Sequence, residues 1–182
     1  MPKAEVFDKY YKDYDNWFFK NELAYKAELK LIRKLIPKGK GLEVGVGTGK
    51  FAIPFGIKDG VDPSDKMAEI AEEKGIKVVK GVAEDLPYDD NSFDYVLLVT
   101  TICFVDDPLK TLEEARRVVK SDGHIIIGFV DRESTIGQEY EKYKDQSKFY
   151  SAAIFYSSKE IEDYLENSGF SEIESYQTLF HP

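Results

Sequence analysis

Three glycines at alternate positions in Gly41-Leu42-Glu43-Val44-Gly45-Val46-Gly47-Thr48-Gly49 restrict this 182-residue chain more than any other stretch. Apolar residues lead into an acid and then into positions without a Cβ. A buried strand reads this way when it must turn sharply and let a ligand approach its backbone. A dinucleotide fingerprint of the G-x-G-x-x-G type needs its third glycine at position 50. Lys50 stands there instead, which argues against a nicotinamide cofactor.

Downstream spacing adds weight to the turn. Ile57 to Asp62 reads as a second short strand ending in an acid, 19 residues after Glu43. In doubly wound folds an acid about 20 residues past the glycine turn accepts hydrogen bonds from ribose hydroxyls, the role expected of Asp62. Its other reading is a helix-leading acid ahead of Pro63-Ser64. Ile76 to Gly81 makes a third strand, followed by Val82-Ala83-Glu84-Asp85-Leu86-Pro87-Tyr88. Phe93 to Val99 makes a fourth, leading into Thr100-Thr101, and His124 to Val130 a fifth after a tight turn at Asp122-Gly123. Between the strands lie amphipathic helices: Leu23, Ala27, Leu31 and Leu35 at fourfold spacing; a short helix from Lys50 to Phe55; a Ser64-capped helix with Met67, Ile70 and Ala71; and one opened by Asp107-Pro108. Apolar strands alternating with amphipathic helices predict an α/β domain, a doubly wound and mostly parallel sheet with helices on both faces, over residues 1–182. Right-handed crossovers bring every strand's carboxyl end, and so Glu43, Asp62, Glu84 and Thr100, to one edge.

The run from Glu43 to Gly49 resembles the first motif of class I S-adenosylmethionine-dependent methyltransferases, and Gly81 to Tyr88 resembles their G-x-A-E-x-L-P-[FY] segment. With Asp62 and the fourth strand, four landmarks fall in order; the resemblance is strongest over residues 41 to 130 and closest to the small-molecule enzymes. It implies S-adenosylmethionine as cofactor, with contacts from Glu43, Gly45, Gly47, Thr48, Gly49, Asp62, Pro63, Ser64, Ala83, Glu84, Val99 and Thr100. Within that set it puts Ala83 and Glu84 along the adenine and Glu43 near the methionine part. Glu43 has a plainer reading, as an anchor for the glycine turn. The resemblance also implies in-line methyl transfer to a small-molecule acceptor. A protein that binds the cofactor without transferring methyl, as sensor or partner subunit, would carry the same landmarks, and a nicotinamide oxidoreductase fits them less well.

Methyl transfer asks mainly for alignment of nucleophile and methyl, so no catalytic triad is required and none is assigned. Asp131, Glu133, Tyr14 and His124 are the conceivable bases for an acceptor that must lose a proton, His124 reading as structural at the start of a buried strand. Cys103, the single cysteine, reads as packing; it excludes an internal disulfide, and with two histidines it leaves no metal cluster. A net charge of −9 argues against a nucleic-acid partner, and no run is apolar enough for a membrane span. Without an apolar signal core near Met1 the expected location is cytoplasmic.

Residues 1–20 and 131–156 are rich in aromatics and are expected to cap the site, with Tyr14, Trp17 and Asp131 toward the substrate. Filling the core is the alternative for the N-terminal rings. The methyltransferase resemblance leads one to expect a final antiparallel strand. Phe170 to Phe180 supplies a sixth strand by its alternation, with Ile173 and Leu179 on one face and Tyr176 and Phe180 on the other, and only His181-Pro182 follow. The expectation is either that this segment pairs with the fifth strand or, preferably, that the chain lacks a C-terminal piece.

Overall fold

The computed structural model describes residues 2–179. Five parallel strands form one sheet in the order β3-β2-β1-β4-β5: β1 (Gly41–Val44), β2 (Asp59–Asp62), β3 (Lys77–Lys80), β4 (Phe93–Val99) and β5 (Val119–Gly128). Its chain order reverses beside β1, so the glycine turn that follows β1 opens at the switch point of the sheet. The expected α/β, doubly wound fold is the fold observed.

Burial on both faces explains the near-continuous apolar strands. Along β4, Val96 and Leu98 join a core with Leu112 and Ala115 of α5 (Pro108–Val118) and Ile161 and Leu165 of α7 (Ser158–Asn167). Tyr95, Leu97 and Val99 point the other way, into a core with Phe18 of α1 (Pro2–Lys20), Ile32 of α2 (Glu22–Leu35), Ala52 of α3 (Ala52–Phe55) and Ala71 of α4 (Asp65–Glu73). The period of two in the strand thus feeds two separate layers. Caps written in the sequence set the helix starts. Ser64 accepts from Met67 N at 3.2 Å, Asp107 accepts from Lys110 N at 2.9 Å, and Ser157 with Glu160 closes a reciprocal capping box. No helix among the described residues is long and apolar enough to cross a membrane.

Two expectations fail. Asp122-Gly123 is no tight turn ahead of the strand but part of a bulge inside β5, where four residues lie between Val119 and His124, the partners of Phe93 and Tyr95. Gly123 is needed there because a Cβ would lie 2.7 Å from the Asp94 carbonyl oxygen. His124 consequently sits exposed in the middle of a partly open strand, not at the start of a buried one. Nor do residues 170–179 form a strand, on β5 or elsewhere. Glu172 and Leu179 take left-handed φ values of 56° and 59°, which an extended strand excludes, and Tyr176 is 56% exposed. Only Phe170 and Ile173 find apolar neighbours, at the α5/α7 core. Phe180 lies outside the described residues.

An ion pair between buried Glu114 and half-buried Arg117 fixes the loop after β3. Glu114, 6% exposed, accepts from Leu86 N at 2.8 Å and from Arg117 Nη2 at 2.7 Å, while Arg117 also donates to the carbonyls of Leu86 and Tyr88. The Arg117 hydrogen bond holds the Glu114 carboxyl below its ordinary range despite the cost of burial. A depressed carboxyl contributes stability above its unfolded value, about 4.3, and loses it as pH falls through the folded value. Glu114→Ala is therefore expected to cost about 1 to 3 kcal/mol at neutral pH, with the gap to wild type narrowing in acid. Thermal melts at pH 7 and pH 3.5 check this; a gap that does not narrow would place the effect in packing rather than charge.

Candidate functional site

The site is built by the turn after β1. Gly45 and Val46 donate to the carbonyl of Val61 at 2.8 and 3.0 Å, which ties the turn to β2. Gly45, Gly47 and Gly49 have φ of 72°, 53° and 80°, so side chains here would be strained as well as in the way. A Cβ on Gly47 would meet the Tyr14 hydroxyl at 3.1 Å, and one on Gly49 would meet Ile76 Cδ1 at 2.6 Å. The turn therefore has α1 pressed against it from one side and the sheet from the other.

Asp62 closes this arrangement. Its Oδ2 accepts from Gly47 N at 2.7 Å and its Oδ1 from Ser64 N at 2.9 Å, so one carboxylate joins the glycine turn to the start of α4. Burial pushes its carboxyl up to about 6, with the two amides and then Asp8 as opposing and reinforcing influences. Each oxygen keeps a second lone pair for an incoming hydroxyl. Glu43 is 1% exposed and its Oε2 has no hydrogen-bond partner. Burial holds its carboxyl well above the ordinary range; the Ala52 amide opposes this and Asp62 adds to it. A buried acid with an empty oxygen is costly unless something cationic or a donor completes it. This is a physical fit to a cofactor carrying an ammonium and a sulfonium.

Beside Asp62 lies a cavity of about 280 Å³ with Pro63, Ser64, Phe7 and Phe104 in its walls. Ala83 is buried nearby in sequence but in the core, and Glu84 Oε1 is already engaged, accepting from Asp106 N and Asp107 N at 2.7 and 3.2 Å. Thr48 is fully buried. Val99 ends β4, and Thr100 follows with φ of 54°, a left-handed conformation that a β-branched residue adopts only under constraint. Its N–H donates to Gly128 O at 2.7 Å, which keeps the ends of β4 and β5 together.

Several residues here escaped the sequence reading. Thr101 donates to Val44 O at 3.1 Å, and its hydroxyl occupies the space a Cβ on Gly45 would need. From α1, Asp8 accepts from Ser64 Oγ at 2.6 Å and Lys66 N at 2.9 Å, and Asp15 accepts from Thr48 Oγ1 at 2.6 Å and pairs with Lys50 at 3.1 Å. Seven residues apart, on either side of the kink at Tyr10, both acids face the site. That pattern was present in the sequence but masked by the aromatic content of the segment.

The two aromatic segments meet. Phe149 lies 5.3 Å from Phe7 and 6.4 Å from both Tyr10 and Tyr14, centroid to centroid, and Lys148 pairs with Asp13 at 2.7 Å. Trp17 packs edge-on against Phe18, and both Trp17 and Tyr14 lie against the second core. Asp131 is a local anchor: its Oδ1 accepts from Glu133 N at 2.9 Å and its Oδ2 from Ser158 Oγ at 2.7 Å. Glu133 is exposed. Burial raises the Cys103 thiol to about 12, so it stays protonated and unreactive.

The profile of a methyltransferase domain matches residues 42–127. A protein of Methanocaldococcus jannaschii is 52% identical over 96% of this chain and 85% of its own length. Mycobacterial relatives at 33% identity are longer, and the chain spans 66% of them. The demethylmenaquinone methyltransferase of Staphylococcus aureus is 31% identical over 91% of this chain and 76% of its own. Among solved structures, a SAM-dependent methyltransferase of Thermotoga maritima, described as a possible histamine N-methyltransferase, superposes with a TM-score of 0.90. It is 50% identical, covering 92% of this chain and 81% of that one. With the glycine turn, the paired acids and the sheet order in place, the chain belongs to the class I S-adenosylmethionine-dependent methyltransferases.

Proposed function

We propose that this protein transfers a methyl group from S-adenosylmethionine to a small-molecule acceptor, with the cofactor lying along the carboxyl edge of the sheet. The observation that carries the reading is the pair of buried acids beside the glycine turn, Glu43 with an empty oxygen and Asp62 with a lone pair to spare on each oxygen. When bound, the cofactor supplies an already activated methyl group. The chain's own residues bind, align and exclude water. Asp62 accepts from the ribose hydroxyls, Glu43 balances the positive charge of the methionine end, and Gly45 and Gly47 let the backbone come close. Pro63, Phe7 and Phe104 offer a flat apolar slot for the adenine. No residue need act as a strong acid or base, because alignment of nucleophile and methyl can supply most of the acceleration.

Residues 2–20 and 131–156 act, in this reading, as one cover over the acceptor. Its support is the ring cluster of Phe7, Tyr14 and Phe149 and the Lys148–Asp13 pair. Entry of a ligand would require the acids of α1 to release Ser64 and Thr48, and closure would shield the reaction from water.

Three outcomes are expected. Asp62→Ala weakens S-adenosylmethionine binding by calorimetry at least tenfold, since a hydrogen bond to a charged group contributes about 1.5 to 3 kcal/mol; an unchanged affinity in a folded variant defeats the assignment. Binding to the wild type weakens as pH falls through about 6, where Asp62 takes up a proton, and this pH dependence is absent from the Asp62→Ala variant. Amide exchange over residues 2–20 and 131–156 slows when S-adenosylhomocysteine is added, and exchange that stays the same in both segments removes the cover. Incorporation of labelled methyl into a metabolite extract separates transfer from binding alone.

A further inference from the structure

Glu28 is the one charged residue on the buried stripe of α2. Its neighbours along that stripe are Tyr25, Leu31, Ile32 and Leu35, so its own helix offers it no cation. It is only partly exposed, and among the described residues it has neither an ion pair nor a hydrogen bond. A solvated surface acid would sit on the opposite face, among Lys26, Lys30 and Arg33. A packing residue here would be apolar.

Its carboxylate borders a groove of about 1030 Å³ that reaches the carboxyl ends of β4 and β5, where Val99, Thr100, Val130 and Asp131 also contribute walls. Burial alone raises the carboxyl to about 7. The phenols of Tyr140 and Tyr150 lie close enough for the Glu28 charge to act on them, and Tyr150 acts in turn on Tyr14 above the glycine turn. The rings are 5.2 Å apart, and Tyr150 continues through Phe104, at 5.9 Å, to Phe7 at 5.1 Å. An aromatic belt thus runs from the cofactor turn through Phe7, Phe104 and Tyr150 to Tyr140.

We propose that Glu28, on the wall of the groove beside the ends of β4 and β5, is the acceptor-recognition site and that it selects a small amine by its positive charge. This rests on the methyltransferase reading above and names the substrate class for it. An ammonium supplies what the acid lacks, a cation and N–H donors for its two oxygens. A neutral alcohol or quinol would leave the carboxylate uncompensated. A metal ion is a poorer answer, since no group of three histidine, cysteine, aspartate or glutamate side chains among the described residues could hold one.

The test uses the full chain saturated with S-adenosylhomocysteine and titrated calorimetrically with histamine, 2-phenylethylamine and butylamine, and with the neutral partners 2-phenylethanol and butanol. At least one amine is expected to bind tenfold or more tighter than the alcohols. Glu28→Gln should erase that preference while holding S-adenosylhomocysteine affinity within about twofold, and Glu28→Asp, which keeps the charge, should retain part of it. Amines that bind no better than alcohols, or a Glu28→Gln variant that binds them like wild type, overturn the proposal. If the Gln variant does not fold, the discrimination in wild type and in Glu28→Asp decides alone. A wild-type protein that fails to bind S-adenosylhomocysteine defeats the methyltransferase reading itself, and is seen before any amine is added.

Discussion

Two carboxylates taken out of water at the carboxyl ends of neighbouring strands, β1 and β2, set the terms for the rest of this structure. Asp62 is tolerated because two backbone amides point at it, and those amides exist only because the glycine turn and the start of α4 converge on the same spot. Glu43 is tolerated less well, with one oxygen empty. The parallel sheet, the helices on both its faces and the switch in strand order together hold these acids in place. Stability lost at the turn is offset by the dry cores on either side, where Val96, Leu98, Tyr95 and Leu97 pack.

Much of this was legible in the sequence because it depends on short-range chemistry. Gly47 announces itself by the absence of a side chain, Ser64 and Asp107 by their cap positions, and Asp62 by its distance from Glu43. What could not be read depends on where distant segments land. Nothing local says that Asp8 reaches Ser64 or that Asp15 reaches Thr48, and Thr101 looks like any residue after a strand until its hydroxyl is seen filling the room beside Gly45. The misread bulge at Asp122-Gly123 shows the opposite failure: a good turn dipeptide was overridden by pairing of the flanking residues with β4. Residues 170–179 had an alternating pattern without a partner, and left-handed Glu172 and Leu179 broke it.

The covering of the site divides into two kinds of contact. Phe18, at the end of α1, belongs to the core and fixes the helix to the body. Toward the other end, beyond the non-helical Tyr10, attachment passes to acids on hydroxyls and amides and to rings stacked on Phe149. Polar contacts of this sort can be exchanged for those of a ligand, whereas apolar burial cannot. The half of α1 nearest the cavity beside Pro63 and Phe104 is thereby the half best suited to move.

Thr100 carries a consequence for how this protein can vary. A residue following a buried central strand would ordinarily be chosen from the β-branched set, and Thr100 obeys that habit in composition while defying it in backbone, at φ of 54°. Valine or isoleucine, the usual neutral exchanges for such a position, are the residues that suffer most in left-handed conformation, while asparagine and glycine suffer least. At this one point the order of tolerated replacements runs opposite to that of the strand it terminates, so a substitution scale tuned to strands would rank the variants backwards.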